Sequence, residues 1–405
     1  MKKNLILYIG RFYPRDLVET LSEDCKGKVS LSNHNFELSI INGFCQHSDI
    51  TLKCLTVPAV YSFPYNNRRL FTKRESYGYK NTQVLAVPFC NLPVIKEICS
   101  TVVLIVKLIT TIANYDGHRV DFVINTPNNG ILKAIRFAKI FTRKKITQTV
   151  IIPDVPSMVT SMDKQHKIKG LVLKYRNQQS MKLASESNGL VLLTEAMMDF
   201  VTRPIPYIVM EGIVDVESMD GESETSSKEV ILYTGTLRKI FGIVNLVQAF
   251  KKVVREDVEL WICGSGDSED AIREAAKADS RIKFFGLVDS KTALKMQRQA
   301  TILVNPRTSD GEYTKYSFPS KTMEYLLSGK STIINRLAGI PEEYYNYVYT
   351  PKDESVESMA QCISELLDSD KASRKIKALR GREFIINFKN SKIQTKRILD
   401  MIRRY

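Results

Sequence analysis

The 405-residue chain has few of the residues from which metal sites and disulfide frameworks are built. Its four histidines show no metal-ligand spacing, and its seven cysteines are scattered, odd in number and without a Cys-x-x-Cys pair. This usage is typical of reduced thiols in a cytoplasmic protein, and it argues against a disulfide scaffold or a zinc site. We therefore expect neither a bound metal nor a resident cofactor.

Long uncharged apolar runs are also absent. The most apolar segment, residues 94–113, contains Lys96, Glu97 and Lys107, so it lacks the uncharged length of a membrane span. A core helix is the simpler interpretation, and a helix that also contacts the membrane interface is the alternative. The apolar run at residues 5–9 is too short for the core of a signal peptide and predicts a first buried strand.

Acidic residues are scarce in one half of the chain only. The whole sequence has 59 basic and 44 acidic side chains, a net charge of +15. Residues 1–210 contain 28 basic and 15 acidic side chains, a net charge of +13, whereas residues 211–405 contain 31 and 29, a net charge of +2. A basic half indicates an anionic partner, which is nucleic acid, an anionic membrane surface or a phosphorylated ligand.

Short apolar runs alternate with amphipathic stretches of helical length, which predicts parallel sheets covered by helices on both faces. The runs predicted as strands are 5–9, 51–57, 82–87, 121–125, 146–152, 190–193, 207–210, 230–233, 258–263, 282–285, 301–304 and 332–335. The predicted helices are 29–47, 94–113, 129–142, 168–187, 194–201, 242–255, 269–278, 290–300 and 321–328.

An acidic, serine-rich segment, residues 215–229, separates the two series. It is a linker candidate, and a surface loop is the alternative. The predicted fold class is therefore α/β, with two Rossmann-like, doubly wound domains at residues 1–210 and 211–385. A C-terminal helix at about 386–405 is expected to pack back on the first domain. Because ligands of open α/β sheets bind beyond the carboxyl ends of the strands, we expect the active site in a cleft between the domains.

Two strand-to-loop transitions in the second half have residues suited to an anion. Gly264 follows one predicted strand, and Gly235 follows another, with Arg238 shortly behind it. Glycine allows backbone N–H groups to approach a ligand, and arginine can pair with a diphosphate. A tight or solvated turn explains each transition equally well.

A third transition, residues 305–329, carries more chemistry. The preceding strand leads into Arg307, and the segment ends in a helix for which Ser320 is the predicted N-cap. Lys321 stands at the start of that helix and Glu324 one turn later. A helix N-terminus with a lysine forms an anion site, and the glutamate can accept two hydrogen bonds from a ribose diol.

Three segments occur in order between residues 230 and 343. They are TGTLRKIFGI, ICGSGD followed by RIKFFGLV, and NPR…YSFPSKTMEYLLSGKSTIINRLAGIPE. They resemble the donor domain of the retaining, nucleotide-sugar-dependent glycosyltransferases of family four, which have the GT-B fold with two domains facing a cleft. The first half resembles that family in layout. The resemblance implies an enzyme that moves a sugar from a nucleoside diphosphate to an acceptor hydroxyl, with retention and without a metal.

The resemblance also implies roles for individual residues. Glu324 matches the glutamate that binds the donor ribose, and Lys321 and Arg307 match positions that some branches use around the donor phosphates. The backbone at Ser317 and Phe318 falls where the family cradles diphosphate and sugar. The other donor-binding candidates are Gly235, Arg238, Gly264, and Gly286 and Val288, which fall where main-chain groups face the nucleobase.

Some positions depart from the family's pattern. Tyr316 stands at the first glutamate position, and Glu312 is the candidate replacement, so the catalytic candidates are Glu312 and Lys321. Thr236 and Phe241 stand where the family has an Arg and Lys phosphate pair. The candidate replacement cations are Arg238, Lys239, Arg307, Lys315 and Lys321.

Three residues of the first half are candidates for the acceptor side. Gly10 ends the first predicted strand, and Asn125 stands at the place of a histidine that the family uses there. Asp154 follows another predicted strand and can orient an acceptor, although a simple turn residue is the alternative.

In this architecture the basic half is the acceptor half. Its cations form three clusters, which are Arg68, Arg69, Lys73, Arg74 and Lys80; Arg136, Lys139, Arg143, Lys144 and Lys145; and Lys164, Lys167, Lys169 and Lys174. Cations near an anionic leaflet are worth about 1 kcal/mol each. We expect a peripheral enzyme at the cytoplasmic face of the cell membrane, acting on a glycan or a lipid-linked acceptor of a surface polysaccharide. Dispersed solubilising charge is the alternative.

Three other functions compete with this one. A GT-B nucleotide-sugar epimerase has the same donor site and needs no acceptor. A basic nucleic-acid-binding protein fits the charge, but the sequence lacks a familiar nucleic-acid module, so we expect no nucleic-acid partner. An NAD-dependent dehydrogenase ranks lowest because no G-x-G-x-x-G follows the first predicted strand.

Overall fold

The computed structural model describes residues 4–13, 18, 32–64, 67–155, 167–216 and 228–405. The chain divides into two compact units, which we call the first unit (Met1–Ile213 with Ser391–Tyr405) and the second unit (Val214–Asn390). Most of the predicted linker, residues 215–229, lies outside the described residues.

The first unit is built on a sheet whose central strands are buried on both faces. Its described strands lie in the order β3-β4-β2-β1-β5-β6-β7-β8, and all neighbours pair in parallel except β3 with β4. In chain order the strands are β1 (Asn4–Gly10), β2 (Ile50–Thr56), β3 (Glu75–Tyr79), β4 (Thr82–Ala86), β5 (Arg119–Asn125), β6 (Lys145–Ile152), β7 (Gly189–Leu192) and β8 (Tyr207–Val209).

The register of the central strands brings three strand ends together. Gly10 of β1 lies opposite Thr56 of β2, and Ile9 lies opposite Ile124, next to Asn125 of β5. Helices of the first unit are α1 (Ser32–Cys45), α2 (Ile95–Ala113), α3 (Asn129–Ile140) and α4 (Lys167–Ser185). The Asn128 side chain accepts a hydrogen bond from the Ile131 N–H and so caps α3.

The second unit repeats the same plan on a smaller parallel sheet, in the order β11-β10-β9-β12-β13. Its strands are β9 (Glu229–Thr234), β10 (Val258–Cys263), β11 (Ile282–Gly286), β12 (Ile302–Asn305) and β13 (Ser331–Ile334). Its helices are α5 (Ile243–Lys251), α6 (Glu269–Ala278), α7 (Ser290–Gln299), α8 (Ser320–Leu327), α9 (Val356–Asp368) and α10 (Lys371–Phe384). Apolar side chains of β9, β10 and β12 are fully buried against α5 and α9 in one core cluster.

A last helix, α11 (Ser391–Ile402), belongs to the first unit. Its Gln394 amide donates to the carbonyl oxygen of Met210 at 2.8 Å, and Ile398 and Leu399 are buried among residues of the first unit's core. Gly43 of α1 has no room for a side chain, because a Cβ there would overlap the backbone of Ser391. The two helices therefore pack in close contact.

The structure differs from the sequence-based expectation at four places. The segment predicted as a helix at 194–201 is a 3-10 helix, Glu195–Phe200. The edge strand β3 was not predicted, since its alternating polar pattern is that of a solvated edge. The helix predicted at 242–255 ends at Lys251. Ser320 is not an N-cap but the first residue of α8, which follows Pro319 without a side-chain cap.

Candidate active site

The carboxyl ends of β9, β10 and β11 are joined by backbone hydrogen bonds between their loops. The Gly235 N–H donates to the Cys263 carbonyl at 3.0 Å, and the Gly264 N–H donates to the Gly286 carbonyl at 2.7 Å. Gly264 has a φ of +141°, and a Cβ at this position would overlap the carbonyl oxygen of Gly235. Glycine at 264 is therefore required for the approach of the two loops, whether or not they hold a ligand.

Lys321 and Glu324 form an ion pair at the start of α8. The Lys321 ammonium lies 2.8 Å from Oε1 and 2.9 Å from Oε2 of Glu324. The two side chains remain 32% and 29% exposed, so both groups are accessible to a ligand. Because Lys321 stands in the first turn of the helix, it adds a positive charge where the backbone N–H groups are not bonded within the helix.

Gln297 of α7 is a buried residue of this site that sequence reasoning missed. Its amide donates to Glu324 Oε1 at 2.6 Å and to the Thr234 hydroxyl at 3.0 Å. The hydroxyl of Tyr325 in turn accepts a hydrogen bond from the Thr234 N–H at 2.9 Å. Glu324 is thereby held between a cation and a buried amide. The one sequence signal was a glutamine on the otherwise apolar inner face of α7.

Two of the predicted replacement cations meet on one aromatic ring. The guanidinium carbon of Arg307 lies 5.4 Å from the centre of the Phe241 ring, and that of Arg238 lies 6.0 Å from it. The guanidinium carbon of Arg307 also lies 4.7 Å from the centre of the Tyr313 ring. Phe241, at the position where the resemblance implies a phosphate-binding lysine, thus has two cations within cation–π distance of its ring.

The loop before α8 is tightly packed. A Cβ on Gly339 would lie 2.6 Å from the carbonyl oxygens of Ser317 and Thr314, so the packing leaves no space for a side chain at this position. Phe318 is buried, and its ring centre lies 5.2 Å from that of Tyr344. The Ser317 hydroxyl lies 3.5 Å from the Arg307 guanidinium, so the segment predicted to cradle a diphosphate adjoins a cation.

Tyr316, which stands at the first glutamate position, and Glu312, its candidate replacement, differ in exposure. Tyr316, at the first glutamate position, is buried. Glu312 is exposed at the start of the 3-10 helix Glu312–Tyr316, and its role as a replacement stays a prediction. Lys315 lies over the Tyr316 ring at 5.2 Å, and the Lys239 N–H donates to Asp267 at 2.8 Å.

The predicted nucleobase segment follows β11. Gly286 has a φ of +68°, which turns the chain sharply at the end of the strand. The side chains of Phe285 and Leu287 are exposed on either side of it, while Val288 packs partly against the core. This arrangement presents backbone groups and apolar side chains together, which suits a flat ring.

In the first unit, Gly10 and Asn125 both adjoin a buried carboxyl group that the sequence did not reveal, that of Glu37. A Cβ on Gly10 would overlap Glu37 Oε2, and the Asn125 amide contacts the same carboxyl group. Burial raises the pKa of Glu37 to about 7, although hydrogen bonds from the Arg11 N–H, Asn125 and Tyr8 oppose the shift. Asp154 is exposed on the loop after β6.

Other expectations concern groups of residues. Within the described ranges, no group of three or more His, Cys, Asp or Glu side chains gathers into a metal-type cluster. No helix in the described part of the chain is long and apolar enough to cross a membrane. The six described cysteines are free thiols. Of the predicted basic clusters, Lys164 lies outside the described residues, as do the side chains of Lys167 and Lys169.

Sequence comparison finds a family and a relative that are similar to part of the chain. Residues 228–369 match the sequence profile of the family Glycosyl transferases group 1. N-acetyl-alpha-D-glucosaminyl L-malate synthase of Bacillus anthracis is 27% identical over 122 residues, which make up 29% of this chain and 30% of that protein. The match therefore spans less than a third of that relative's length.

Structural comparison extends over the whole chain. Sucrose-phosphate synthase from Thermosynechococcus elongatus superposes with a TM-score of 0.64 at 13% identity, with 99% of each chain covered. The HepE protein of Anabaena, solved with UDP and glucose, superposes with a TM-score of 0.61 at 13% identity, again with 99% of each chain covered. The chain thus has the GT-B fold, as the sequence predicted. The predicted similarity to the group 1 glycosyl transferases is confirmed for residues 228–369, which match that family's profile.

Proposed function

We propose that the protein is a retaining glycosyltransferase that moves a sugar from a nucleoside-diphosphate sugar to an acceptor hydroxyl. The observation that carries this proposal is the arrangement of Lys321, Glu324 and Gln297 beside the glycine loops, inside the family-matched segment. In the HepE structure the bound ligands are UDP and glucose, which supports a uridine nucleotide as the first donor to test.

Each part of the donor has a group of fitting chemistry. Glu324 accepts hydrogen bonds from the two ribose hydroxyls, and Gln297 orients its carboxylate. The start of α8 with Lys321 receives the diphosphate, together with Arg307 and Arg238. As the bond to the sugar breaks, negative charge grows on the leaving diphosphate, and fixed cations and N–H groups stabilise that charge. We assign no nucleophile, because a donor of this kind can react on the face from which the diphosphate leaves.

The acceptor is proposed to be a glycan or a lipid-linked glycan at the cytoplasmic face of a membrane. Support comes from the surface of the first unit, where α2 exposes the apolar side chains of Ile95, Ile98, Val102 and Val106. Their spacing of three and four residues places them on one helix face. Phe137, Ile140 and Phe141 at the end of α3 are exposed as well. Such an apolar surface in a basic unit suits an anionic lipid surface.

The donor assignment is tested by a binding panel with a matched pair of variants. Full-length protein is titrated with UDP, GDP and ADP, and with UDP- and GDP-sugars, by thermal shift and calorimetry. Glu324→Ala and Lys321→Ala should each weaken binding of the preferred nucleotide about ten- to a hundredfold, since a hydrogen bond to a charged group is worth about 1.5–3 kcal/mol. Transfer should be lost while the fold survives.

The control is a second lysine–glutamate pair of the same spacing. Lys277 and Glu274 on α6 lie 2.8 Å apart and are largely exposed. Glu274→Ala and Lys277→Ala should bind nucleotide like the wild type. Wild-type affinity in the Glu324 and Lys321 variants would contradict the site assignment. Interconversion of sugar epimers in the absence of any acceptor would contradict the transferase assignment.

A further inference from the structure

The first unit contains a small cavity beyond the carboxyl ends of β1, β2 and β5. It has a volume of about 70 Å³ and is walled by Arg11, by the inner face of α2, by the start of α3 and by Arg176 of α4. One water needs about 10–15 Å³ of such volume, so the cavity has room for a group of several heavy atoms. It lies entirely within the first unit and includes none of the donor-site residues.

Positive charge predominates in the cavity wall. Arg11, Lys96 and Arg176 line it, and the one acidic side chain among its lining residues is Glu97. Burial lowers the pKa of Arg11 and of Lys96. Repulsion from Arg176 lowers the pKa of Arg11 further, and repulsion from Arg11 lowers that of Lys96 further. Three cations and one carboxylate thus line the cavity, and an anion beside the desolvated Arg11 and Lys96 is bound more strongly than it is in water.

Lys96 and Arg176 have hydrogen-bond partners in the cavity wall, and Arg11 is held through its main chain. The Arg176 guanidinium donates to both oxygens of Glu97, at 2.6 and 2.7 Å, and the Lys96 ammonium donates to the Val60 carbonyl at 3.1 Å. The main-chain N–H of Arg11 donates to both oxygens of the buried Glu37 carboxyl group, at 3.1 and 3.0 Å, which holds the backbone from which the guanidinium extends. Each bond leaves further N–H donors on Arg176 and Lys96 for a ligand.

The other walls of the cavity are of mixed character. The start of α3 contributes Asn128 and Gly130, and a Cβ on Gly130 would lie 2.6 Å from the Thr101 hydroxyl. Glycine there lets α3 approach α2 closely. The remaining walls are apolar, from Val57, Val60, Phe89, Leu104 and Ile131. A ligand for this cavity therefore combines an anionic group with a less polar body.

We propose that this cavity binds an oxyanion, a phosphate or a carboxylate, carried by the acceptor of the transfer reaction. The proposal rests on the proposed function, since it names the chemistry of the second substrate. Arg11 and Arg176 offer forked N–H donors to the oxyanion, and Lys96 adds a point charge. The apolar walls cover the part of the acceptor next to the oxyanion.

Binding is measured on the full-length protein in low-salt buffer by calorimetry, with inorganic phosphate, glycerol phosphate and malate as soluble probes. A second arm uses vesicles of phosphatidylglycerol and phosphatidylcholine. Lys96→Met and Arg176→Gln should each weaken the binding of the effective probe at least tenfold. If the two variants bind the soluble probes more weakly, the acceptor is a small anionic molecule. If they bind only the vesicles more weakly, the oxyanion belongs to a lipid headgroup.

The matched control is Arg403→Gln. Arg403 forms an ion pair with Asp49 on the surface of the same unit and does not line the cavity. This variant should bind the probes within twofold of the wild type. Equal weakening by Arg403→Gln, or no binding in either arm, would overturn the proposal. Nucleotide binding is measured in parallel and should be unchanged in all three variants, so failure of the donor site is detected separately.

Discussion

Glu37 is a buried acid whose environment opposes its charge. The carboxyl group lies beneath the Gly10–Arg11 turn, and it accepts hydrogen bonds from the Arg11 N–H, from the Asn33 amide at 3.1 Å and from the Tyr8 hydroxyl at 3.1 Å. These bonds favour the ionised form, but desolvation outweighs them, so the pKa of Glu37 rises from 4.5 to about 7. Between pH 4.5 and about 7 the folded chain therefore holds a proton here that the unfolded chain releases.

This difference predicts how the stability changes with pH. A carboxyl pKa that is raised by folding contributes stability below pH 4.5, and the contribution is lost as the pH rises through about 7. Glu37→Gln keeps the shape and cannot ionise. The difference in free energy of unfolding, variant minus wild type, should therefore increase by up to about 3 kcal/mol as the pH is raised from 4.5 to 8. Urea denaturation followed by circular dichroism measures it, and parallel curves for the two proteins would contradict the raised pKa.

A second prediction concerns the side chain of Gln297 and its effect on stability and nucleotide affinity. Gln297→Leu removes the donor to Glu324 Oε1 and to the Thr234 hydroxyl while filling a similar volume. We expect a loss of about 1–3 kcal/mol of stability and an increase of about tenfold in the Kd for nucleotide, because Glu324 is then oriented by Lys321 alone.

The control for Gln297 lies on α9. The Gln361 amide donates to Glu365 Oε1 at 2.8 Å on the exposed face of that helix. Gln361→Leu should change neither the melting temperature by more than a degree or so nor the affinity for nucleotide. A Kd for Gln297→Leu that equals the Kd for Gln361→Leu would show that the buried amide does not orient Glu324.

The sequence analysis selected Lys321 and Glu324 as candidates but not their neighbours, for a physical reason. Lys321 and Glu324 are three residues apart on one helix, and such local pairs leave a pattern in the sequence. Gln297 lies 27 residues before Glu324, and Glu37 lies 26 residues after Arg11. Such contacts depend on how strands and helices stack, so no local spacing records them. The meeting of Arg307 and Arg238 on Phe241 is of the same kind.

At the level of elements, prediction worked where apolar runs are continuous. The buried strands of both parallel sheets were found because nearly every side chain in them is apolar, as in β7 and β12. It failed at β3, an edge strand with half-exposed side chains, and at residues 195–200, where a helical pattern forms a short 3-10 helix. Both lie where few buried contacts select one backbone conformation.

At the level of a single element, we predict that the exposed apolar face of helix α2 contacts the membrane. Its Ile98 and Val102 are 61% and 55% exposed on the same face. Val102→Glu should weaken binding to anionic vesicles at least tenfold, because a valine that enters the interface is worth about 1.5 kcal/mol or more. Co-sedimentation with vesicles of increasing phosphatidylglycerol content measures the effect.

The same substitution elsewhere serves as the control for α2. Val254 in the second unit is 95% exposed and lies outside the proposed membrane surface. Val254→Glu adds the same charge and should bind vesicles within twofold of the wild type. If the two variants bind alike, or if the wild type does not bind anionic vesicles at all, α2 is not the membrane contact.

At the scale of the whole molecule, charge and fold divide the chain in the same way. The excess of basic side chains lies in residues 1–210, which form most of the first unit, while the nearly neutral remainder contains the family-matched segment. The proposed donor site needs only a few placed cations, for which Arg307 and Lys321 are the candidates. A basic surface in the first unit is then available for an anionic acceptor or membrane. Under this proposal the two substrates make separate electrostatic demands, and each unit meets one of them.

The return of α11 to the first unit leads to the last prediction. Ile398, Leu399, Met401 and Ile402 are buried in the first unit's core, and each buried apolar side chain is worth about 1.5–3 kcal/mol. Their joint loss is comparable with the whole stability of a typical domain, about 5–15 kcal/mol. A fragment of residues 1–213 should therefore fail to fold, whereas residues 214–390, which have their own core, should unfold cooperatively and bind nucleotide. Circular dichroism melts and calorimetry of both fragments test this, and a cooperative melt of 1–213 or a loss of nucleotide binding in 214–390 would contradict it.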